Sequence, residues 1–320
     1  MKRTTLIWMI AAVCLVFIGS IVFGGVMMFI KWDFTKLSTV EYETNTYELS
    51  DNFNDISVIS NTSEIEFIIS DIEQCKVVCY EEVSEKHSVS VENDVLLIKV
   101  VDAKKWYEHI GIFNGSPKIT VYLPKSEYKT LSVKNDTGAV SVPNDFRFES
   151  ADISTSTGFV KYSASVSDFV NIKASTGSIQ VNDITAKTVD LVVSTGKVTV
   201  SSVSCEEDIS VNVSTGKTEL TDVKCKSFTS KGNTGKIDLD SVVASENISI
   251  ERSTGDVTFS KCDAYEMFVK TDTGDIRGSI LSSKVFITRS DTGKINVPYT
   301  TDGGKCEMMT DTGDIQITIE

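Results

Sequence analysis

Residues 175–216 read STGSIQVNDITAKTVDLVVSTGKVTVSSVSCEEDISVNVSTG, and the phrase that opens this stretch returns twice inside it. The phrase is Ser, Asp or Asn, then Thr, then Gly, with an apolar residue two places on. Along the chain its glycines are Gly138, Gly158, Gly177, Gly196, Gly216, Gly235, Gly255, Gly274, Gly293 and Gly313, so neighbouring copies lie 19 or 20 residues apart. A fixed period of this length marks stacked repeats, in which each unit buries its apolar face only against its neighbours.

The interior of one period says what the unit is. After Gly177 the apolar positions are Ile179, Val181, Ile184, Ala186, Val189, Leu191 and Val193. After Gly196 they are Val198, Val200, Val203, Cys205, Ile209, Val211 and Val213, and the next coil keeps the frame with Thr218 in its first inward place. Spacing of two within a run means strands with one face buried, and the breaks at Asn182-Asp183 and Lys187-Thr188 are where the chain turns corners. Helical periodicity is absent. The chain is therefore expected to be all-β: a β-solenoid (β-helix) of about ten 19–20-residue coils. Each coil holds two or three short strands, and like positions stack about 4.8 Å apart along a rod roughly 50 Å long. Glycine in every phrase points to a backbone with φ > 0, and the neighbouring Thr should form a ladder along one edge. The coil from Gly274 to Gly293 fits poorly, with Gly278 in an aliphatic slot and Ile280, Leu281, Val285, Phe286 and Ile287 crowded together; a slipped corner or bulge is expected there.

The 320-residue chain has, for the most part, the composition of a soluble protein, and its net charge of −14 argues against nucleic-acid binding. The exception is Leu6–Ile30, which carries no formal charge and follows Lys2 and Arg3. It is long enough to cross a hydrocarbon layer of roughly 30 Å. No small-x-small site closes the run, so an uncleaved signal-anchor is expected rather than a cleaved signal peptide. The basic flank places the N-terminus in the cytoplasm and the rest outside a single-pass cell-membrane protein. The expected divisions are 1–31 anchor, 32–47 spacer, 48–131 β-rich cap and 132–320 solenoid. In the cap, Ile65, Phe67 and Ile69 alternate, as do Leu96, Ile98 and Val100, and then Ile119, Val121 and Leu123. Asn61-Thr62-Ser63 looks like a degenerate turn phrase, and Trp106, Tyr107, His109 and Phe113 form one aromatic loop.

The anchor, the β-rich lead-in, the string PKITVYLPKSEYKTLSVKNDTG from Pro117 to Gly138, and the tandem STGKV and DTGDI turns together resemble the bacterial DUF4097 family of adhesin-like β-strand repeat proteins. The resemblance implies an envelope protein with a β-helical ectodomain and carries over no catalytic residue.

Other motifs yield to the repeat. Asp-Thr-Gly at Asp136, Asp272, Asp291 and Asp311 matches the aspartic-protease signature, but each Asp fills the turn slot that Ser156, Ser175, Ser194, Ser214 and Ser253 fill elsewhere. A protease would need two carboxylates facing each other. The paired carboxylates Asp272, Asp275, Asp311 and Asp314 are the candidates for a Ca²⁺ site, against the alternative of plain turn chemistry. Cysteines read as small core hydrophobes, and only Cys205 with Cys225, one rung apart, has disulfide geometry. His87 and His109 read as surface residues, and no cysteine-histidine zinc spacing shows. No enzyme and no cofactor are expected. The reading is a membrane-anchored extracytoplasmic binding, adhesion or structural module with an envelope glycan or a membrane protein as partner. The alternatives are a regulatory or sensory partner of an envelope-stress system and, behind it, a glycan-active β-helix enzyme. The strand Ile315, Ile317, Ile319 ends beside the C-terminus, so an open edge and edge-to-edge self-association are expected.

Overall fold

The computed structural model describes residues 3–33, 40–71, 74–102 and 115–320. The aromatic stretch with Trp106, Tyr107, His109 and Phe113 lies outside them, as do Lys2 and residues 34–39 of the spacer. Helix α1 (Arg3–Phe29) is apolar all round. Its segment Ile7–Phe29, with mean hydropathy 2.5, is long and apolar enough to cross a membrane, since at 1.5 Å per residue it reaches about 34 Å.

The body is a rod of stacked parallel strands. After the strands of the cap come β8 (Glu127–Thr137), β9 (Val140–Val142), β10 (Arg147–Tyr162), β11 (Ser165–Val166), β12 (Phe169–Ala186), β13 (Thr188–Cys205), β14 (Asp208–Thr234), β15 (Ile237–Thr254) and β16 (Val257–Cys262). Several run unbroken around the corners, because the inter-rung ladder continues through them. Val181 pairs with Val200 and Val200 with Leu220, then Leu239 and Phe259 continue the column. All five are buried. Parallel columns hold Ile172, Leu191 and Val211, and Ile184, Val203, Val223 and Val242. Each regular coil thus has three inward-facing runs around one dry core, at the upper limit expected from the pattern.

Two corners have distinct chemistry. At the Thr-Gly corner the glycines stack on one another, and Gly196 has φ of 150°. A Cβ built there would lie 1.6 Å from the Gly177 carbonyl oxygen, so close approach of the next rung excludes a side chain even before φ does. The Thr hydroxyls stand in register and exposed beside it. At the next corner Asp183, Ser202, Asp222, Ser241 and Lys261 occupy one slot in successive coils with φ between 51° and 56°. This left-handed conformation costs a non-glycine residue roughly 1–2 kcal/mol, and at four of the five positions a short Asp or Ser softens the cost.

The cap is built on the same columns. It comprises β1 (Tyr42–Leu49), β2 (Asp55–Ser60), β3 (Glu64–Ser70), β4 (Cys75–Glu82), β5 (Glu85–Glu92), β6 (Val95–Asp102) and β7 (Lys118–Pro124). Strand β1 begins inside the stretch read as spacer: its alternating residues Glu43, Asn45, Tyr47 and Leu49 are largely polar, which hid the strand, and it pairs antiparallel with β4. Strand β2 lies between β6 and β8, and β3 between β7 and β9, all parallel. Asn61-Thr62-Ser63 is a rung corner with Ser63 in the glycine slot, its carbonyl against Gly138. Antiparallel β5 and β4 then close the two columns.

The far end departs from chain order in the same way. Strands β17 (Glu266–Thr273) and β18 (Ile276–Ile280) are followed by β19 (Lys284–Thr292) and β20 (Ile295–Asn296), then β21 (Gly304–Thr312) and β22 (Ile315–Ile319). Strand β21 pairs with both β17 and β19, and β22 with both β18 and β20. The last coil is therefore inserted between the two before it. The expected open edge at Ile315, Ile317 and Ile319 is corrected in part: β22 pairs with β18 along its whole length, and on its other side the two-residue β20 of the outermost, more polar rung pairs it at Ile315 and Gln316, while Ile317 and Ile319 pair on the β18 side alone. The irregular coil makes this step. Its register shifts between Phe259 and Cys262, and the buried Lys284 ammonium pairs with Asp263 at 2.8 Å where the chain crosses over the skipped rung.

Candidate functional site

The solenoid offers outward rows of polar side chains at rung spacing. On the face after the Thr-Gly corner, Lys197 pairs with Glu219 at 2.5 Å, Lys217 with Glu219 and with Asp238 at 2.9 Å, and Lys236 with Asp238 at 2.9 Å. Hydrogen bonds from Lys197 and Lys217 hold the Glu219 carboxyl below the usual carboxylate range. Burial pushes Asp238 up, yet Lys236 and Lys217 outweigh it and leave it lowered. Glu219 raises the Lys217 ammonium through a hydrogen bond, with Asp238 adding to it.

Further along the rod this row changes sign, and two of the four acidic candidates, Asp275 and Asp314, sit in it. The Asp275 amide donates to Asp256 Oδ1 at 2.9 Å, the Asp314 amide to Asp275 Oδ1 at 2.7 Å, and the Lys294 amide to Asp314 Oδ1 at 2.9 Å. This relay follows the spatial order of the rungs rather than the sequence. Arg277 adds ion pairs to Asp275 at 2.6 Å and Asp314 at 3.5 Å, and Lys270 lies 3.6 Å from Asp272. The oxygens of Asp275 and Asp314 are thus engaged in holding the corners. Asp272, half-buried, and Asp311, exposed, lie on the preceding turn.

On the adjoining face an open groove of about 650 Å³ runs across five rungs. Thr229, Ser249, Phe268 and Glu307 form one outward row in it, each beside the next, with Asn247 and Lys305 alongside. The half-buried Phe268 ring is the apolar platform among polar neighbours.

The second notable cluster lies inside the cap and was not anticipated. His87 is 5% exposed, which corrects the reading of a surface histidine. The chain turns from β4 into β5 at Glu82–Glu85, and this swings His87 against the inward face of β4. The Glu81 carboxylate accepts the His87 backbone amide and its Nδ1–H, both at 2.7 Å, and Asn45 Nδ2 at 2.8 Å. His87 Nε2 faces Ser60 Oγ at 3.1 Å, and Tyr47 donates to the His87 carbonyl. The missed signal was Cys79-x-Glu81 on one strand face followed by a tight turn. Cys205 and Cys225 are free thiols, as are the other cysteines; the Cys205 thiol donates to the Lys187 carbonyl at 3.0 Å. Burial pushes Cys225 up to about 12.

Comparison with known proteins places this geometry. Among curated proteins none matches the chain. Several solved structures are similar. A "putative lipid binding protein" from Parabacteroides distasonis is 19% identical, covering 74% of this chain and 96% of its own, with a TM-score of 0.46. A "putative adhesin" from Bacteroides fragilis is 13% identical, covering 87% and 97%, with a TM-score of 0.43. Another, from Parabacteroides merdae, is 12% identical, covering 77% and 98%, with a TM-score of 0.41. The family model for Toastrack DUF4097 matches residues 53–211 and 205–320, nearly the whole of the rod and cap, and this chain belongs to that family.

Proposed function

We propose that this protein is a membrane-tethered, extracytoplasmic binding module that engages a repeating polymer of the cell envelope along the side of its rod. Helix α1 acts as the tether, with the N-terminus in the cytoplasm and the solenoid outside. The observation that supports this best is the groove row Thr229, Ser249, Phe268 and Glu307, one side chain per rung at a spacing of about 4.8 Å. Such a row offers hydroxyl, aromatic and carboxylate contacts at regular intervals, which suits a polyhydroxylated chain such as an envelope glycan. The function is binding and presentation rather than catalysis. The acidic surface, with net charge −14, favours a neutral or cationic polymer over an anionic one.

The test is retention of purified cell-wall polysaccharide by the full chain in detergent micelles, beside Phe268→Ala. Binding that weakens about tenfold in the variant, equivalent to roughly 1.4 kcal/mol, supports the reading. Polysaccharide that passes through unretained, while a membrane protein copurifies in mild detergent, would transfer support to the regulatory alternative.

A further inference from the structure

Cys79, Glu81 and His87 each present a ligand atom, and these atoms lie within 4.8 Å of one another in the interior of the cap. We propose that they form a site for a zinc-class divalent cation that ties the two closing strands of the cap together. Cys79 and Glu81 come from β4, which pairs with β1 and β7, and His87 comes from β5, which pairs with β6; the backbones of β4 and β5 pair with each other only at Glu82–Glu85. A cation here would therefore join β4 and β5 at the end of the rod.

The donor set selects the ion. One thiolate sulfur, one carboxylate oxygen and one imidazole nitrogen are borderline ligands of the kind that zinc takes, and alkaline-earth ions prefer all-oxygen shells. Charge agrees: a thiolate and a carboxylate neutralise a dication, which suits a site where all three side chains are buried. Size agrees too. Metal–ligand bonds of about 2.0–2.3 Å set tetrahedral ligand separations of roughly 3.3–3.8 Å. The present spacing needs only small side-chain rotations to reach that. The cation would take the place of the proton now shared between His87 Nδ1 and Glu81 Oε2.

The surrounding groups are already arranged for this exchange. When Nδ1 binds the ion, the ring proton moves to Nε2 and donates to Ser60 Oγ, which stands 3.1 Å away. Asn45 keeps the other Glu81 oxygen fixed. Such outer contacts orient metal ligands and commonly change affinity about 10–100-fold when removed. The Cys79 thiol gives its proton to solvent as the ion enters, since the thiolate is the form that ligates. An entry route adjoins the cluster: an open groove of about 560 Å³ is lined by Asn61, next to Ser60, and by Glu64, Glu82 and Glu85. Its acidic mouth attracts cations.

The experiment uses the full chain in detergent, stripped with chelator and titrated with Co²⁺ and Zn²⁺. One Co²⁺ per chain should bind with a sulfur-to-cobalt charge-transfer band that Zn²⁺ displaces. Cys79→Ser should abolish the band, His87→Gln should weaken affinity at least tenfold, and Ser60→Ala about tenfold. Cys75→Ser, four residues earlier on the same strand face, should leave the band intact. X-ray absorption of the zinc-loaded wild-type chain gives a readout free of folding defects, and one sulfur with nitrogen or oxygen neighbours is expected. A shell without sulfur, no retained Co²⁺, or a band that survives Cys79→Ser would overturn the proposal.

Discussion

A single glycine shows how little freedom the corner residues have. Replacing Gly196 by Ala forces a left-handed backbone on a residue with a Cβ and drives that carbon into the Gly177 carbonyl. Left-handed strain of about 1–2 kcal/mol and ladder displacement of about 1–3 kcal/mol combine to about 3 kcal/mol. Chemical unfolding of the variant, followed by circular dichroism in micelles, should show that loss. Arg252 makes the opposite case. Its guanidinium is buried in the rod and donates to the Val213 carbonyl at 2.5 Å, Thr218 Oγ1 at 3.2 Å and Ser230 Oγ at 3.4 Å, with no carboxylate partner among the described residues. Burial lowers it to about 10. Because the folded state disfavours the charged form, the cost is present below that value and fades as pH rises through it. Arg252→Met should therefore raise stability by about 1–2 kcal/mol at neutral pH, with a smaller gain above about pH 10. Equal stability shifts at both pH values would contradict the assignment of the cost to desolvated charge. In the sequence Thr218, Ser230, Gly232 and Arg252 look like four unrelated lapses in an apolar pattern; in space they are one cluster, with Gly232 leaving room for the guanidinium.

At the scale of strands, the row Lys197, Glu219, Lys217, Asp238 and Lys236 ties three rungs together from outside. Glu219 titrates below its unfolded value of about 4.3, so its contribution is present above that pH and is lost as pH falls through the lower folded value. Glu219→Gln should cost less than about 1 kcal/mol at neutral pH, since the pairs are largely solvated. The gap between wild type and variant should close in acid; a gap that persists there would mean that Glu219 acts through packing. How far such elements were readable depends on which rule places them. Period-two runs revealed every inward column of the coils, because burial imposes alternation directly on the residue types. Strand β1 escaped, since Glu43 and Asn45 face inward toward other polar groups and break the apolar signal. The His87 cluster escaped for a related reason: three ligating side chains eight residues apart in sequence converge only because the chain turns from β4 into β5 at Glu82–Glu85.

For the whole molecule, periodicity identifies equivalent residues but is silent on stacking order, and both ends exploit that silence. The step from Gly274 to Gly293 is an ordinary 19 residues, yet the two coils do not touch; the coil ending at Glu320 lies between them. The consequence concerns edges. Sequential stacking would leave Ile315 and Ile317 on an open rung, a template for pairing with other chains. Insertion instead puts outermost a rung with the two-residue β20, inward Thr288 and Ser290, and an Arg289–Asp291 ion pair at 3.0 Å. Deleting residues 304–320 tests this directly. The remaining β19–β20 segment would lose both of its ladders, and the connection at 281–283, laid out to cross two rungs or about 9.6 Å, would hold it away from β17. Limited proteolysis should then trim the chain back to near Ile280, while the coils before it stay protected. The bare β17–β18 edge should also raise the sedimentation coefficient with concentration. Protection of residues 284–303 in the shortened chain would show that β19 docks on β17 in plain sequence order, and that the inserted coil is not what holds this end of the rod together.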